Sequence, residues 1–223
     1  MTRPPARSPL RQGLLALALS LSAACASSAA EPPLPAPPPF STAPAAAAVG
    51  APAPAFVLPD ATGQLVDLAA LRGKVVVLEW FNPDCPFIVH AHEDGPLKDM
   101  PARWEAQGVV WLPVNSNAEG TQGHGVGLNQ RAKGRYDLPR DVLIDATGAV
   151  GRAYGAKVTP HIYVIDREGK LAYMGGLDNA PLGKAEGPSV MPWTDEAIAA
   201  VVRGEAPRSP STKAYGCSVK YKG

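Results

Sequence analysis

The sequence predicts an α/β fold built on a mixed central sheet with helices on both faces. Two observations carry most of this. The runs VVVLEW (75–80) and VVWLPVN (109–115) are β-branched and aromatic, without the alternation of a half-solvated strand, so they read as strands buried on both faces. The second is the order strand, helix, strand, helix, strand, hairpin, helix: helical crossovers imply parallel neighbours, and a closing hairpin makes the sheet mixed.

The elements follow in order. Asp60, Thr62 and Gly63 mark a turn between two short extended pieces, and VDLAALRG reads as one helical turn stopping at Gly73. After the 75–80 strand, a helix is expected from Pro86 to Gln107, with proline at its first position and Gly108 as its stop. The strand at 109–115 precedes a Gly-rich stretch, GTQGHGVG (120–127). This lacks the Gly-Lys-Ser/Thr ending of a phosphate loop and reads as a surface loop, so no nucleotide cofactor is expected. A short helix near 128–135, a strand at DVLID (141–145) and a further short helix come next. HIYVIDREGKLAYMG then gives strands at 161–166 and 170–175 around the turn Arg167-Glu168-Gly169. A last helix is expected over 194–204, capped by Thr194 and ended by Gly204.

Outside this domain the composition changes. Arg3, Arg7 and Arg11 precede GLLALALSLSAACA, an apolar stretch of secretory type, so residues 1–30 are expected to be a signal peptide. LSAAC makes Cys25 a candidate lipidation site, with Ser22 where a large aliphatic residue is usual. Residues 31–53 are rich in Pro and Ala and are expected to form a disordered linker; residues 54–206 form the domain, and 207–223 a tail carrying Cys217. The chain is thus expected outside the cytoplasm, periplasmic or lipid-anchored at a bacterial envelope, touching membrane only through such an anchor. A formal net charge of +1 over 223 residues gives no electrostatic basis for binding nucleic acid.

On APAFVLPDATGQLVDLAALRGKVVVLEWF, the strand-to-helix turn holding Cys85, VTPHIYVIDREGKL, and the order of elements between them, the chain resembles the thioredoxin-like redoxins over about residues 50–205. The nearest branch is the one shared by the alkyl hydroperoxide reductase/thiol-specific antioxidant family and secreted, membrane-tethered thiol–disulfide oxidoreductases. The resemblance implies a three-layer thioredoxin-like fold and a cis peptide bond at Thr159-Pro160. It makes Thr159 and Pro160 a platform for substrate, flanked by Pro86 and Asn82, and Cys85 the attacking cysteine. A thiol at a helix N-terminus ionises more readily than a free one.

The chain departs from the pattern at Ile88, which stands where the second cysteine of a CxxC motif would be, so exchange within the motif is excluded. Cys217 is the candidate resolving thiol, by attack on an oxidised or mixed-disulfide Cys85; a static disulfide between the two is the alternative. Glu79, six residues before Cys85, matches the buried acid of thioredoxins and is the candidate proton relay, against an edge-exposed glutamate as the plainer reading. The expected partners are a protein or small-molecule disulfide, or a peroxide, and a thiol electron donor.

Three alternatives remain open. A thiol peroxidase usually has Thr or Ser three residues before its cysteine, where this chain has Asn82, itself able to donate a hydrogen bond. Copper binding would recruit His90, His92, His124 or His161 beside the thiolate, or the fold would serve as a non-catalytic binding domain. His90 and His92 would point about 200° apart on a helix, so they cannot share a metal, and no metal site is expected. Arg131, Arg140 and Arg152 are candidate thiolate partners, with surface charges as the plainer reading.

Overall fold

The structure is a computed structural model, and it describes residues 46–222. The predicted signal peptide, Cys25 and most of the predicted linker lie outside the described residues.

The central sheet has five strands: β3 (Val76–Trp80), β4 (Val110–Asn115), β5 (Leu143–Ile144), β7 (His161–Ile165) and β8 (Leu171–Gly175), in the order β5-β4-β3-β7-β8. β3 pairs parallel with β4 and β4 with β5, whereas β7 pairs antiparallel with β3 and β8. Two-residue periodicity splits the side chains of β3. Val76, Leu78 and Trp80 join Leu112, Val114 and Tyr163 in a core on one face. Val77 joins Trp111, Ile162 and Val164 on the other. The second face is covered by α1 (Pro86–Glu93), α2 (Met100–Glu105) and α5 (Trp193–Val202), through Ala91, Trp104, Ala197, Ile198 and Val201. The first is covered by α4 (Ala149–Tyr154), through Val150 and Tyr154, and by the hairpin of β1 (Val57–Pro59) and β2 (Leu65–Asp67). α3 (Val126–Arg135) sets Ala132 beside Phe81, Cys85 and Ile88 in a third cluster, which Tyr136 just beyond its end completes.

Three expectations need correction. The helix expected over 86–107 is broken: α1 ends at Glu93, a 3-10 turn spans Pro96–Lys98, and α2 starts at Met100. Pro96 has no N–H for an intrahelical bond, and Gly95 packs so closely on the end of α1 that an added Cβ would lie 2.9 Å from Ala91 Cα. Thr194 is not a cap: Pro192 holds that position, and the buried Thr194 hydroxyl donates to Gly176 O at 3.1 Å. Finally, residues 47–53 are docked on the domain. Ala47 N–H donates to Ala153 O, Gly50 N–H to Leu171 O and Ala53 N–H to Gly169 O, at 2.8–3.0 Å. The ordered domain therefore begins several residues before Pro54. None of the helices among the described residues is long and apolar enough to cross a membrane.

Candidate active site

β3 delivers the chain to the site. Beyond Trp80 it leaves the sheet through Phe81-Asn82-Pro83-Asp84, and Cys85 takes the N-cap position of α1, with extended backbone (φ −77°, ψ 123°) and Pro86 behind it. Cys85 O accepts the first α1 bond, from Val89 N–H at 2.9 Å. Asn82 shapes the turn: Oδ1 accepts from Asp84 N–H at 3.0 Å and Nδ2 donates to Gln122 O at 3.4 Å. Gly123 is required opposite it, because its φ is +82° and a Cβ there would sit 2.0 Å from Asn82 Oδ1. Asn82, expected on the substrate platform, is thus buried with its hydrogen bonds directed within the protein.

β7 begins right after the Thr159-Pro160 bond, which is cis. The residues before it form β6 (Val158–Thr159), whose partner is β9 (Cys217–Ser218), antiparallel, with Thr159 opposite Cys217. The Cys85 thiol donates to Thr159 O, Sγ to O 3.2 Å. Cys217 packs against the cluster that contains Cys85, and Phe87 packs against the same cluster. Both cysteines are free thiols. Burial first, then the contact with Cys85, pushes the Cys217 thiol up to about 11. Cys85 itself has no exposed surface, whereas its neighbour Pro86 is exposed.

Glu79 is fully buried on the α1 face of β3, which overturns the edge-exposed reading. Its Oε1 is 2.8 Å from His92 Nε2 on α1, and its Oε2 accepts from Trp111 Nε1–H on β4 at 2.8 Å. The carboxyl therefore ties the strand below the site to the helix that starts there. Sequence reasoning missed both partners, 13 and 32 residues away.

The remaining histidines do not converge. His161 is buried with Nδ1 3.1 Å from the Tyr163 hydroxyl. That hydroxyl also bonds Tyr154 O at 2.9 Å, and a carbonyl only accepts, so Tyr163 donates there and accepts from His161 Nδ1–H. His124 Nδ1 pairs with Asn117 O. Among the described residues no three His, Cys, Asp or Glu side chains are grouped to hold a metal ion. Arg140 pairs with Glu105, and Arg152 lies over the Tyr221 ring, so neither is a thiolate partner.

A cysteine at the N-cap of the first α-helix after a central strand of a mixed sheet, beside a cis-proline turn, defines a thioredoxin-like redoxin. The Redoxin family profile matches residues 48–186, and the chain belongs to that family. The thiol-disulfide oxidoreductase ResA of Halalkalibacterium halodurans is 29% identical over 124 residues, covering 55% of this chain and 66% of that relative, just under two thirds of its length. Among solved structures, a hypothetical protein of Sinorhizobium meliloti 1021 is 28% identical with a TM-score of 0.70, over 80% of this chain and 97% of its own. An uncharacterized conserved protein of Geobacillus kaustophilus is 26% identical, also with a TM-score of 0.70, over 78% and 93%. Cys217 lies beyond the segment the family profile matches.

Proposed function

We propose that the protein is an extracytoplasmic thiol–disulfide oxidoreductase in which Cys85 attacks a disulfide and Cys217 resolves the product. The observation that carries this reading is the Cys85 sulfur at the start of α1, held between Thr159 O and the Cys217 thiol. Kinship with a relative named as a thiol-disulfide oxidoreductase supports it, and the signal-like first thirty residues support export.

The chemistry balances in two exchanges. Cys85 as thiolate attacks one sulfur of the substrate disulfide, forming a mixed disulfide and expelling the other sulfur as thiolate, which takes up a proton. Cys217, losing its proton, attacks Cys85 Sγ, forming the Cys85–Cys217 disulfide and releasing the second substrate thiol. The substrate gains two electrons and the cysteine pair loses two; an external dithiol donor restores the pair. Thr159, Pro160 and the exposed Pro86 form the platform beside the reacting sulfur. Glu79, linked to α1 through His92, serves as the proton store: Glu79→Gln shifts the pH profile of exchange, and a loss of stability alone would make it a purely structural acid. Peroxide chemistry is less favoured, because the Asn82 amide that would orient a peroxide is directed at Gln122 O.

The test is reduction of a peptide disulfide by the pre-reduced protein. Cys85→Ser abolishes turnover, and Cys217→Ser stops the reaction at a mixed disulfide on Cys85 that is visible by intact mass. Undiminished turnover in Cys85→Ser would refute the reading.

A further inference from the structure

The sulfur assigned to attack substrates is sealed. Cys85 has 0% exposure, and the chain's own C-terminal segment packs on its cluster through Cys217, opposite Thr159. That segment forms an extra strand: β9 pairs with β6, and Val219 N–H donates to Lys157 O at 2.9 Å, continuing the ladder beyond the Val158–Ser218 and Thr159–Cys217 pairs. Side chains anchor it on either side. Tyr215 donates to Asp178 Oδ1 at 2.5 Å and sets its ring 5.9 Å from that of Phe87 on α1. Downstream, Lys220 N–H donates to Asn117 Oδ1 at 2.9 Å and the Tyr221 hydroxyl to Ala156 O at 2.7 Å.

Between the Tyr215 anchor and Cys217 only glycine fits. Gly216 has φ +136°, and a Cβ there would lie 2.0 Å from Thr159 O, the carbonyl that accepts the Cys85 thiol. The segment thus bends at Gly216 and enters the β6 edge at Cys217, so that aromatic, glycine and cysteine follow one another with the cysteine packed on the Cys85 cluster. This is how a cysteine-bearing polypeptide would lie if it added a strand to the same edge. Tyr215 also borders a cavity of about 330 Å³ lined by Phe87, His90, Asp178, Leu182 and Val190, so the aromatic position adjoins open, mostly apolar space. Leu182 and Val190 are exposed there.

Resting on the oxidoreductase reading above, we propose that residues 215–219 are a tethered occupant of the substrate strand position, displaced in turnover by polypeptide substrates that carry an aromatic residue and glycine immediately before the reacting cysteine. Return of the strap brings Cys217 to the mixed disulfide and competes with the substrate for the β6 edge, so resolution and product release are one movement.

The experiment follows iodoacetamide labelling of Cys85 by peptide mapping in the reduced full-length chain, for wild type, Gly216→Ala and Tyr215→Ala. Circular dichroism establishes that each is folded, and Tyr215→Ala serves where Gly216→Ala is not. Labelling of Cys85 rises roughly tenfold or more in the variants, since the strap opens more often than the core unfolds. A synthetic peptide of residues 211–222 carrying Cys217→Ser then restores protection to Gly216→Ala, and the same peptide with Tyr215→Ala does not. Equal Cys85 labelling in all folded forms, or equal protection by both peptides, overturns the proposal. The two readings fail separately. Faster labelling in the variants with no Cys85-dependent exchange in any form would leave the strap and remove the oxidoreductase; intact exchange with unchanged labelling would do the reverse.

Discussion

Cys85 and Cys217 differ in how they are held: the first is sealed at the start of α1, the second is half-buried on β9. Cys217, docked and in contact with a second sulfur, has its thiol raised to about 11 from an ordinary value near 9. A raised thiol favours the protonated, docked form, so docking is fully supported below pH 9 and loses that support as pH rises through 11. Alkylation of Cys217 in the reduced protein is accordingly expected to keep climbing with pH from 9 to 11; a plateau at or below 9 would contradict the contact. His161 tests the neighbouring platform. Burial first, and Lys157 second, lower it to about 4, so it stays neutral in the fold. The unfolded chain takes up that proton from about pH 6.5 downward, so stability falls between pH 6.5 and 4, by on the order of 3 kcal/mol for a shift from 6.5 to about 4. Chemical denaturation of His161→Phe should show a flatter pH dependence over that window, and an unchanged slope would mean that another group is responsible. Cys85, Thr159 and Pro160 were legible in the sequence because their signatures are local. The partners of Glu79 and Asn82 were not, because His92, Trp111 and Gln122 reach them only through tertiary folding.

The elements that position the site owe their legibility to composition. Runs such as VVVLEW can bury both faces and little else, and they became β3 and β4. The helix after Cys85 was overextended because Gly95 and Pro96 sit inside a segment whose flanks both favour helix; the local backbone constraint outweighed the flanks. The break leaves α1 and α2 as separate pieces that both feed the same core face, through Ala91 and Trp104. Gly95→Ala is expected to cost about 1–3 kcal/mol in urea unfolding, because a Cβ meets backbone atoms of α1 at 2.9–3.1 Å with no flexible side chain to yield. A change within a few tenths of a kcal/mol would show that the turn relaxes freely. The pairing of β9 with β6 left no trace in the sequence. A two-residue ladder has no periodicity, and its register depends on Gly216 crossing Thr159 O.

At the scale of the whole molecule, the redoxin architecture supplies one cysteine and the appended C-terminal segment supplies the other. The family profile stops at residue 186, yet Cys217 is delivered to the helix start that the profile covers. Under the proposed function, the second thiol absent at Ile88 is supplied by Cys217, 129 residues further along the chain, on a segment docked through Tyr215, Val219 and Tyr221. The most direct test of this arrangement is equilibration of the protein in glutathione buffers of graded potential, followed by acid quench, alkylation and peptide mapping. Cys85 and Cys217 are expected to lose their alkylation together in a single two-electron transition and to be recovered as one crosslinked peptide pair. Separate glutathione adducts on each cysteine, or a Cys217 that stays alkylable while Cys85 is oxidised, would contradict it.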